Sequence, residues 1–351
     1  MSVLAPWLGD IEHWMRRDAS SQGVLRSRLR LYRNLPRVFS SAGLLDEIRE
    51  TVSEHPSMKE AHFLSLEEMS AADRQYLLER GHLEPREAEE PQGLGIFLFP
   101  EADRSIVIAS EDHLRLQCLS PGLSISAAYA LVDNLESSLE DRIDFAFSET
   151  FGYLSPNPSR AGTGMKATVS LFLPALTSGS ELPAILRGLQ AIRMDLSGFQ
   201  GEASGLQGSF FQLGNAKTLG RSEEEVLGLL ERTAGNLLKF EMQARGKLQR
   251  EAWTLLEDQV GKAIGKLDTA SSLNLSDSLA ALGTLMLGRE SGLPDLPEMQ
   301  NLRKAWVLSH PGHLQMIDEE ASNPLARKEI RAKCIRMWMR EQAEAKEGPP
   351  V

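Results

Sequence analysis

An arginine falls at every second position from Arg26 to Arg30, inside the run Val24-Leu25-Arg26-Ser27-Arg28-Leu29-Arg30-Leu31-Tyr32-Arg33. An extended backbone turns alternate side chains to one face, so as a strand this segment aims all three guanidinium groups the same way. Arginine's planar fork matches phosphate oxygens two at a time and keeps its charge at any working pH. The bland alternatives are a basic surface strand, or an amphipathic helix if the period is misread.

A second segment, Ser105 to Pro121, runs SIVIASEDHLRLQCLSP. The β-rich stretch Ile106 to Ala109 delivers Glu111 and Asp112, then His113 and Arg115. Alternation along a strand places Glu111, His113 and Arg115 on one face. A carboxylate beside a guanidinium suits a site that removes a proton and holds a phosphate. Taken alone, the segment is better explained as an edge strand with a solvated salt bridge.

Two further segments add to these. Phe151 to Leu176 is a Pro- and Gly-rich loop leading into an apolar strand, Ala167 to Leu173. Gly162 and Gly164 permit close backbone approach to a ligand. Ser197 to Ser204 is a glycine-rich acidic loop before a second short strand around Phe210 to Asn215.

In this order and at these spacings the four segments resemble the ATP:guanidino phosphotransferase (phosphagen kinase) family, and within it the bacterial protein arginine kinases. The resemblance runs from about Val24 to about Glu241. It rests on V-L-x-S-R-x-R-L-x-R-N, E-D-H-L-R-x-Q-C-L, F-G-Y-L, G-T-G-x-x-A-x-V and L-G-x-S-E-E-E. Kinases of small phosphagens carry a long helical domain before S-R-x-R, whereas this chain reaches the motif by Ser27 and continues well beyond the catalytic pattern. The resemblance therefore implies ATP with Mg2+ as cofactors and arginine in proteins as the substrate.

It also implies roles for residues. Glu111 matches the catalytic carboxylate, and Glu202 a second carboxylate that contacts the substrate guanidinium. Arg28, Arg30 and Arg115 match phosphate-binding arginines, Ser27 belongs to the same stretch, and His82 matches a histidine near the nucleotide. Lys166, Ala167, Thr168, Val169, Ser170, Ser197 and Gly201 fall in nucleotide-contacting stretches. Several positions depart from the pattern. Asn157 stands for the family's thiol, Ser110 for the first glutamate of E-E-D, and Lys166 and Ser197 for two phosphate arginines. Lysine keeps the charge but loses the fork; serine loses both. Arginines appear where the family has none, at Arg26 and Arg160, and Arg26 joins the nucleotide-site candidates. Two functions stay open: a working kinase, or a catalytically impaired module that binds nucleotide or phosphoarginine segments in a regulatory role. A small-molecule guanidino kinase is a weaker third.

Near the C-terminus, Arg327-Lys328-Glu329-Ile330-Arg331-Ala332 resembles R-D-x-x-R-A, the motif with which protein arginine kinases bind phosphoarginine at a regulatory pocket. Two guanidinium groups one helical turn apart could clamp one phosphate. Lys328 replaces the acid. The alternative is a solvated helix face that also carries Arg336.

Composition bounds the classes. The 351 residues, 42% hydrophobic and 25% charged, suit one large or two smaller globular domains. A net charge of −11 argues against indiscriminate nucleic-acid binding and favours basic, arginine-bearing protein segments. Cys118 and Cys334 are too few for a disulfide framework or a zinc site, and read as buried free thiols. No apolar run approaches the ~18 residues of a membrane span. The first residues lack the basic region of a signal peptide, so a cytoplasmic protein is expected. An activator protein and a homodimer are left open.

The pattern-level organisation is α+β: an antiparallel sheet flanked by helices, followed by an all-helical C-terminal domain. The expected divisions are 1–249, 250–345 and a disordered tail, 346–351. Expected helices are Ile11–Arg17 with Trp7 and Trp14 as core anchors, Gly43–Glu54, one capped by Ser70, Ser124–Glu140, one starting at Ser180, and one from Ser222 to about Gln249. The last elements are Ala252–Leu267, Ser276–Leu287, Pro297–Ser309 and Pro324–Ala343. Ser124–Glu140 should bury Ala127, Ala128, Leu131, Val132, Leu135 and Leu139. Leu94–Pro100 and Ser105–Ile108 read as a hairpin.

Overall fold

Period two prevails in the arginine-bearing run, which is strand β1 (Val24–Arg33). The computed structural model describes residues 4, 23–36, 43–101, 103–179, 181–198 and 208–346. The expected Ile11–Arg17 helix, Trp7, Trp14, Gly201, Glu202 and the final residues from 347 lie outside them.

The other strands are β2 (His62–Ser65), β3 (Gly95–Leu98), β4 (Arg104–Ile108), β5 (Leu114–Pro121), β6 (Phe147–Ser148), β7 (Gly152–Tyr153), β8 (Met165–Phe172), β9 (Met194–Gly198) and β10 (Phe210–Asn215). Eight form one sheet in the order β2-β3-β4-β5-β1-β8-β10-β9, while β6 and β7 make a separate ribbon. Every neighbouring pair from β2 through β8 is antiparallel. In register, Arg30 lies between Gln117 on β5 and Lys166 on β8, Arg28 between Leu119 and Thr168, and Tyr32 opposite Arg115. Directly paired residues share a sheet face. One face therefore collects Arg26, Arg28, Arg30, Arg115, Gln117, Lys166, Thr168 and Ser170. Ser27, Ala167 and Val169 belong to the other.

The helices are α1 (Leu44–Ser53), α2 (Ala71–Arg80), α3 (Pro85–Glu89), α4 (Ile125–Glu140), α5 (Pro174–Ser178), α6 (Leu182–Ala191), α7 (Glu223–Glu251), α8 (Trp253–Thr269), α9 (Leu275–Glu290), α10 (Met299–Leu308), α11 (Pro311–Ile317) and α12 (Pro324–Lys346). Ser70 caps α2, its Oγ accepting from the Asp73 amide at 3.1 Å. Ser222 and Glu225 form a reciprocal capping box at the start of α7. Helix α11 gave no sequence signal because seven residues are too few for a periodic pattern.

Two expectations fail locally. Glu111 and His113 are not on a strand: Ala109 to His113 form the β4–β5 turn, closed by the Ala109 amide on the His113 carbonyl at 2.9 Å. Ala109 sits at φ 61°, which breaks the strand before the acidic pair. Helix α4 packs on β1 and β5 but leaves Ala127 and Leu131 exposed. Its buried stripe is Ile125, Ala128, Val132, Leu135, Glu136 and Leu139. At helical spacing Ala127 and Leu131 fall off that stripe, and Glu136 is drawn inside by Arg33.

The chain divides into two compact units. The first comprises Met1–Leu171, Leu186–Leu196 and Gln212–Gly235, with Ile96, Ile106, Leu114, Leu116 and Val169 in its core. The second comprises Phe172–Ile185, Ser197–Phe211 and Asn236–Val351. Phe172, Phe210 and Trp306 stack in its core with ring centroids 4.8 Å and 4.5 Å apart. Both cysteines are buried free thiols. Among the described residues no helix is long and apolar enough to cross a membrane.

Candidate functional site

β1 brings its arginines onto the turn that ends α2. Arg26 donates from Nη1 to the Arg80 carbonyl at 2.6 Å, and Arg30 from Nη2 to the Gly81 carbonyl at 3.1 Å. Gly81 adopts φ +86°, a conformation strained for any other residue, and a Cβ there would lie 2.9 Å from Arg26 Nη2. Arg30 also donates from Nε to Gln117 at 2.6 Å and from Nη1 to Glu84 at 3.0 Å. Arg28 donates from Nη2 to Gln212 at 3.0 Å. Burial, then Arg30 and Arg26, pushes the Arg28 pKa well down, the mark of a cation short of an anion.

Arg115 lies 2% exposed and meets Glu87 fork to fork, with both N–O distances 2.8 Å. Its Nη2 also reaches the His82 carbonyl at 2.7 Å. Burial alone would lower its pKa, but Glu87 and Glu84 outweigh that and raise it. His82 is buried with Nδ1 3.0 Å from Ser105 Oγ. Burial, then Arg80, Arg26, Arg115 and Arg30, drives its pKa well below the usual imidazole range, so the ring is neutral. Among the described residues, neither His82 Nε2 nor Arg115 Nε has a hydrogen-bond partner.

The acidic turn faces these arginines. Asp112, 1% exposed, accepts from Asn34 Nδ2 at 2.8 Å, Ser155 Oγ at 2.6 Å and Arg160 Nη1 at 2.7 Å. Arg160 Nη1 lies 3.1 Å from Glu111 as well, its Nη2 donates to Glu84 at 3.0 Å, and its guanidinium lies over the Tyr32 ring. Glu111 is 43% exposed on its side chain. It lines a cavity of about 370 Å³ with Glu84, Glu87, Glu90, Arg86 and Ser110 among its walls. Ser110 donates to Glu87 at 2.8 Å.

The structure thus gathers Arg26, Arg28, Arg30, His82, Glu111 and Arg115 in one region of the first unit, together with Arg160. Other candidates stand apart in role. Ser27 Oγ donates to the Gly122 carbonyl at 2.9 Å and accepts from the Ser124 amide at 3.0 Å, on the opposite sheet face. Ala167 and Val169 are fully buried on that face, while Thr168 and Ser170 share the arginine face. Lys166 donates its ammonium to the Asn215 and Ala216 carbonyls at 3.1 and 3.2 Å. Ser197 lies on β9 in the second unit. Gly162 and Gly164 serve close packing of the protein on itself: a Cβ on either would lie 2.6 Å from an atom, of the Thr218 carbonyl and of the Arg33 guanidinium respectively.

In the second unit, Arg331 is 3% exposed and donates to the Ser309 and Leu273 carbonyls at 2.7 and 2.9 Å. Arg327 donates to the Ala321 and Ser322 carbonyls at 2.6 and 3.1 Å. Their forks terminate different segments. Arg336 likewise reaches the Ala270 carbonyl.

Sequence reading missed Glu84 and Glu87, the residues that gather this cluster. Glu84 accepts from Arg30, Tyr32 and Arg160 and lies 3.3 Å from Arg115. Burial would raise its pKa, yet Arg115, Arg30 and Arg160 bring it down to about 2. The one available signal was a pair of glutamates, Glu84 and Glu87, on either side of Pro85-Arg86 shortly after Gly81-His82.

Residues 44–244 match the model of the ATP:guanido phosphotransferase C-terminal catalytic domain, and residues 254–349 that of the protein-arginine kinase McsB C-terminal domain. A protein-arginine kinase of Syntrophomonas wolfei is 32% identical over 92% of this chain and 94% of its own. One from Halalkalibacterium halodurans is 32% identical over 95% and 97%. Among solved structures, lombricine kinase aligns with a TM-score of 0.55 at 20% identity, over 65% of this chain and 70% of that one. A duplicated taurocyamine kinase from Schistosoma mansoni aligns with a TM-score of 0.54 over 63% of this chain and 33% of that one. These structures share its fold, an antiparallel sheet with flanking helices. With the family match covering more than half its length, the chain belongs to the ATP:guanido phosphotransferases, in their protein-arginine kinase branch.

Proposed function

We propose that this protein transfers the γ-phosphoryl group of ATP to arginine side chains in proteins. The observation that carries the reading is the position of Glu111, at an acid-lined cavity on one side and against the arginine cluster through Arg160 on the other. The cavity carries four glutamates, Glu84, Glu87, Glu90 and Glu111, against one arginine, Arg86, and this negative lining suits a guanidinium with Glu111 as its exposed carboxylate; the arginine face suits phosphates. His82 Nε2 and Arg115 Nε, buried and unpartnered among the described residues, offer places for polar atoms of a nucleotide.

In the proposed step an arginine Nη attacks the γ-phosphorus, the bond from that phosphorus to the bridging oxygen breaks, and ADP leaves. The proton released from Nη goes to Glu111, and Glu202 is assigned the grip on the rest of the guanidinium. Arg28, Arg30 and Arg115, aided by Arg26, offset the charge on the phosphates. Alignment and charge neutralisation carry the catalysis, since little covalent chemistry is left to the protein. Among the described residues no three His, Cys, Asp or Glu side chains form a metal cage. Magnesium, when bound, would enter with the triphosphate and help neutralise its charge, as is usual for nucleotide sites.

The impaired-module reading draws on Lys166, whose ammonium donates to the Asn215 and Ala216 carbonyls. A phosphoarginine pocket at Arg327 and Arg331 has to use N–H groups beyond those that hold the Ala321, Ser322, Ser309 and Leu273 carbonyls, or exchange these carbonyls for a phosphate. We assign residues 1–249 to the catalytic part and 250–345 to the helical part.

The test supplies the full chain with γ-labelled ATP and an arginine-rich protein. Label on the protein that is lost in acid and kept in base is expected. Label confined to free arginine, or none, contradicts the reading.

A further inference from the structure

Glu84 immediately precedes Pro85 at the start of the five-residue helix α3, and its amide donates to Glu87 Oε2 at 2.8 Å. One short turn therefore carries both carboxylates into the arginine cluster. Glu87 takes both ends of the Arg115 fork. Glu84 takes one donor each from Arg30 and Arg160, at 3.0 Å, and the Tyr32 hydroxyl.

To a guanidinium fork a carboxylate and a phosphate present nearly the same acceptor geometry. Both Nη nitrogens of Arg115, and Nε, Nη1 and Nη2 of Arg30, are thus already engaged, and only Arg115 Nε is left unpartnered among the described residues. Charge tells the same story. Arg30, Arg115 and Arg160 face four carboxylates within ion-pair distance: Glu84, Glu87, Glu111 and Asp112. Three cations against four anions leave this end of the cluster without positive excess. Arg28 donates to the neutral Gln212 instead of to a carboxylate.

We propose that Glu84, with Glu87 beside it, is a built-in competitor of the nucleotide's phosphates and sets the affinity of the site for them. The proposal rests on the reading that this arginine face takes a nucleotide. Phosphate binding then requires the α3 carboxylates to be displaced from Arg30 and Arg115. A carboxylate that merely held the arginines ready for phosphate would act in the opposite sense: its loss would weaken binding.

Titration calorimetry of the full chain with ATP and, separately, with inorganic tripolyphosphate decides between them. Glu84→Gln removes the charge and keeps the shape. Glu84→Ser, a favourable residue at a helix start, guards against a folding defect, and melting curves establish which variants are folded. Both are expected to bind ATP at least about tenfold more tightly than the unaltered protein, with a matching gain for tripolyphosphate and none for adenosine. Equal or weaker ATP binding in a folded variant overturns the proposal, as does an absence of binding in every form. Tighter binding without any phosphoryl transfer would sink the kinase reading alone. Transfer by the unaltered protein with weaker binding in the variants would sink the competitor alone.

Discussion

Arg115 and Glu87 meet as two planar forks, Nη1 on Oε1 and Nη2 on Oε2, both at 2.8 Å and both almost wholly buried. Such a pair stands in the core only because each charge answers the other. Glu87→Ala leaves a buried guanidinium with only Glu84 near it, and is expected to cost roughly 3–5 kcal/mol of stability. Urea unfolding followed by fluorescence measures it. A change within error would show that the pair contributes nothing net.

Acid should act on Glu84. Its folded pKa of about 2 lies below the 4.5 of an unperturbed glutamate. A depressed carboxylate stabilises the fold above its unfolded pKa, and that contribution is lost as pH falls through the folded value. The free energy of unfolding should therefore drop between about pH 4.5 and about pH 2, and Glu84→Gln should flatten the slope in that window. Parallel slopes in the two proteins would contradict the assignment.

The β1 arginine face, the capped helices and the helical C-terminal run were legible because each rests on local periodicity or a cap. The β4–β5 turn was not. Its left-handed residue is Ala109, where neither glycine nor asparagine announces φ above zero. The carboxylate partners were also hidden, since Glu84 meets Arg30 across 54 positions and Arg160 across 76. Arg160 could be singled out as an added charge, but not its grip on Asp112.

Arg331 gives a prediction for the second unit. Its guanidinium satisfies the Ser309 and Leu273 carbonyls from a buried position. Arg331→Ala strands both, and should cost about 1–3 kcal/mol for each carbonyl left without water or partner. Hydrogen exchange of α12 and of the segment around Leu273 should rise. Unchanged protection there, with a loss of phosphoarginine binding instead, would favour a regulatory pocket over a structural role.

Arg160 ties Glu111 to the arginine cluster. Arg160→Ala should slow phosphoryl transfer by about one to two decades, the equivalent of one charge-assisted contact. Initial rates at saturating ATP test this. An unaffected rate would show that Glu111 is positioned without it.

Glu111 is the proposed base, and phosphorus NMR of the reaction tests that role directly. With ATP, magnesium and an arginine-rich protein, the unaltered chain should produce a phosphorus–nitrogen resonance in step with ADP. Glu111→Gln should lower its rate by roughly 10²–10⁴ while ATP binding persists. A phosphorus–nitrogen signal growing equally fast in both proteins would contradict the central claim.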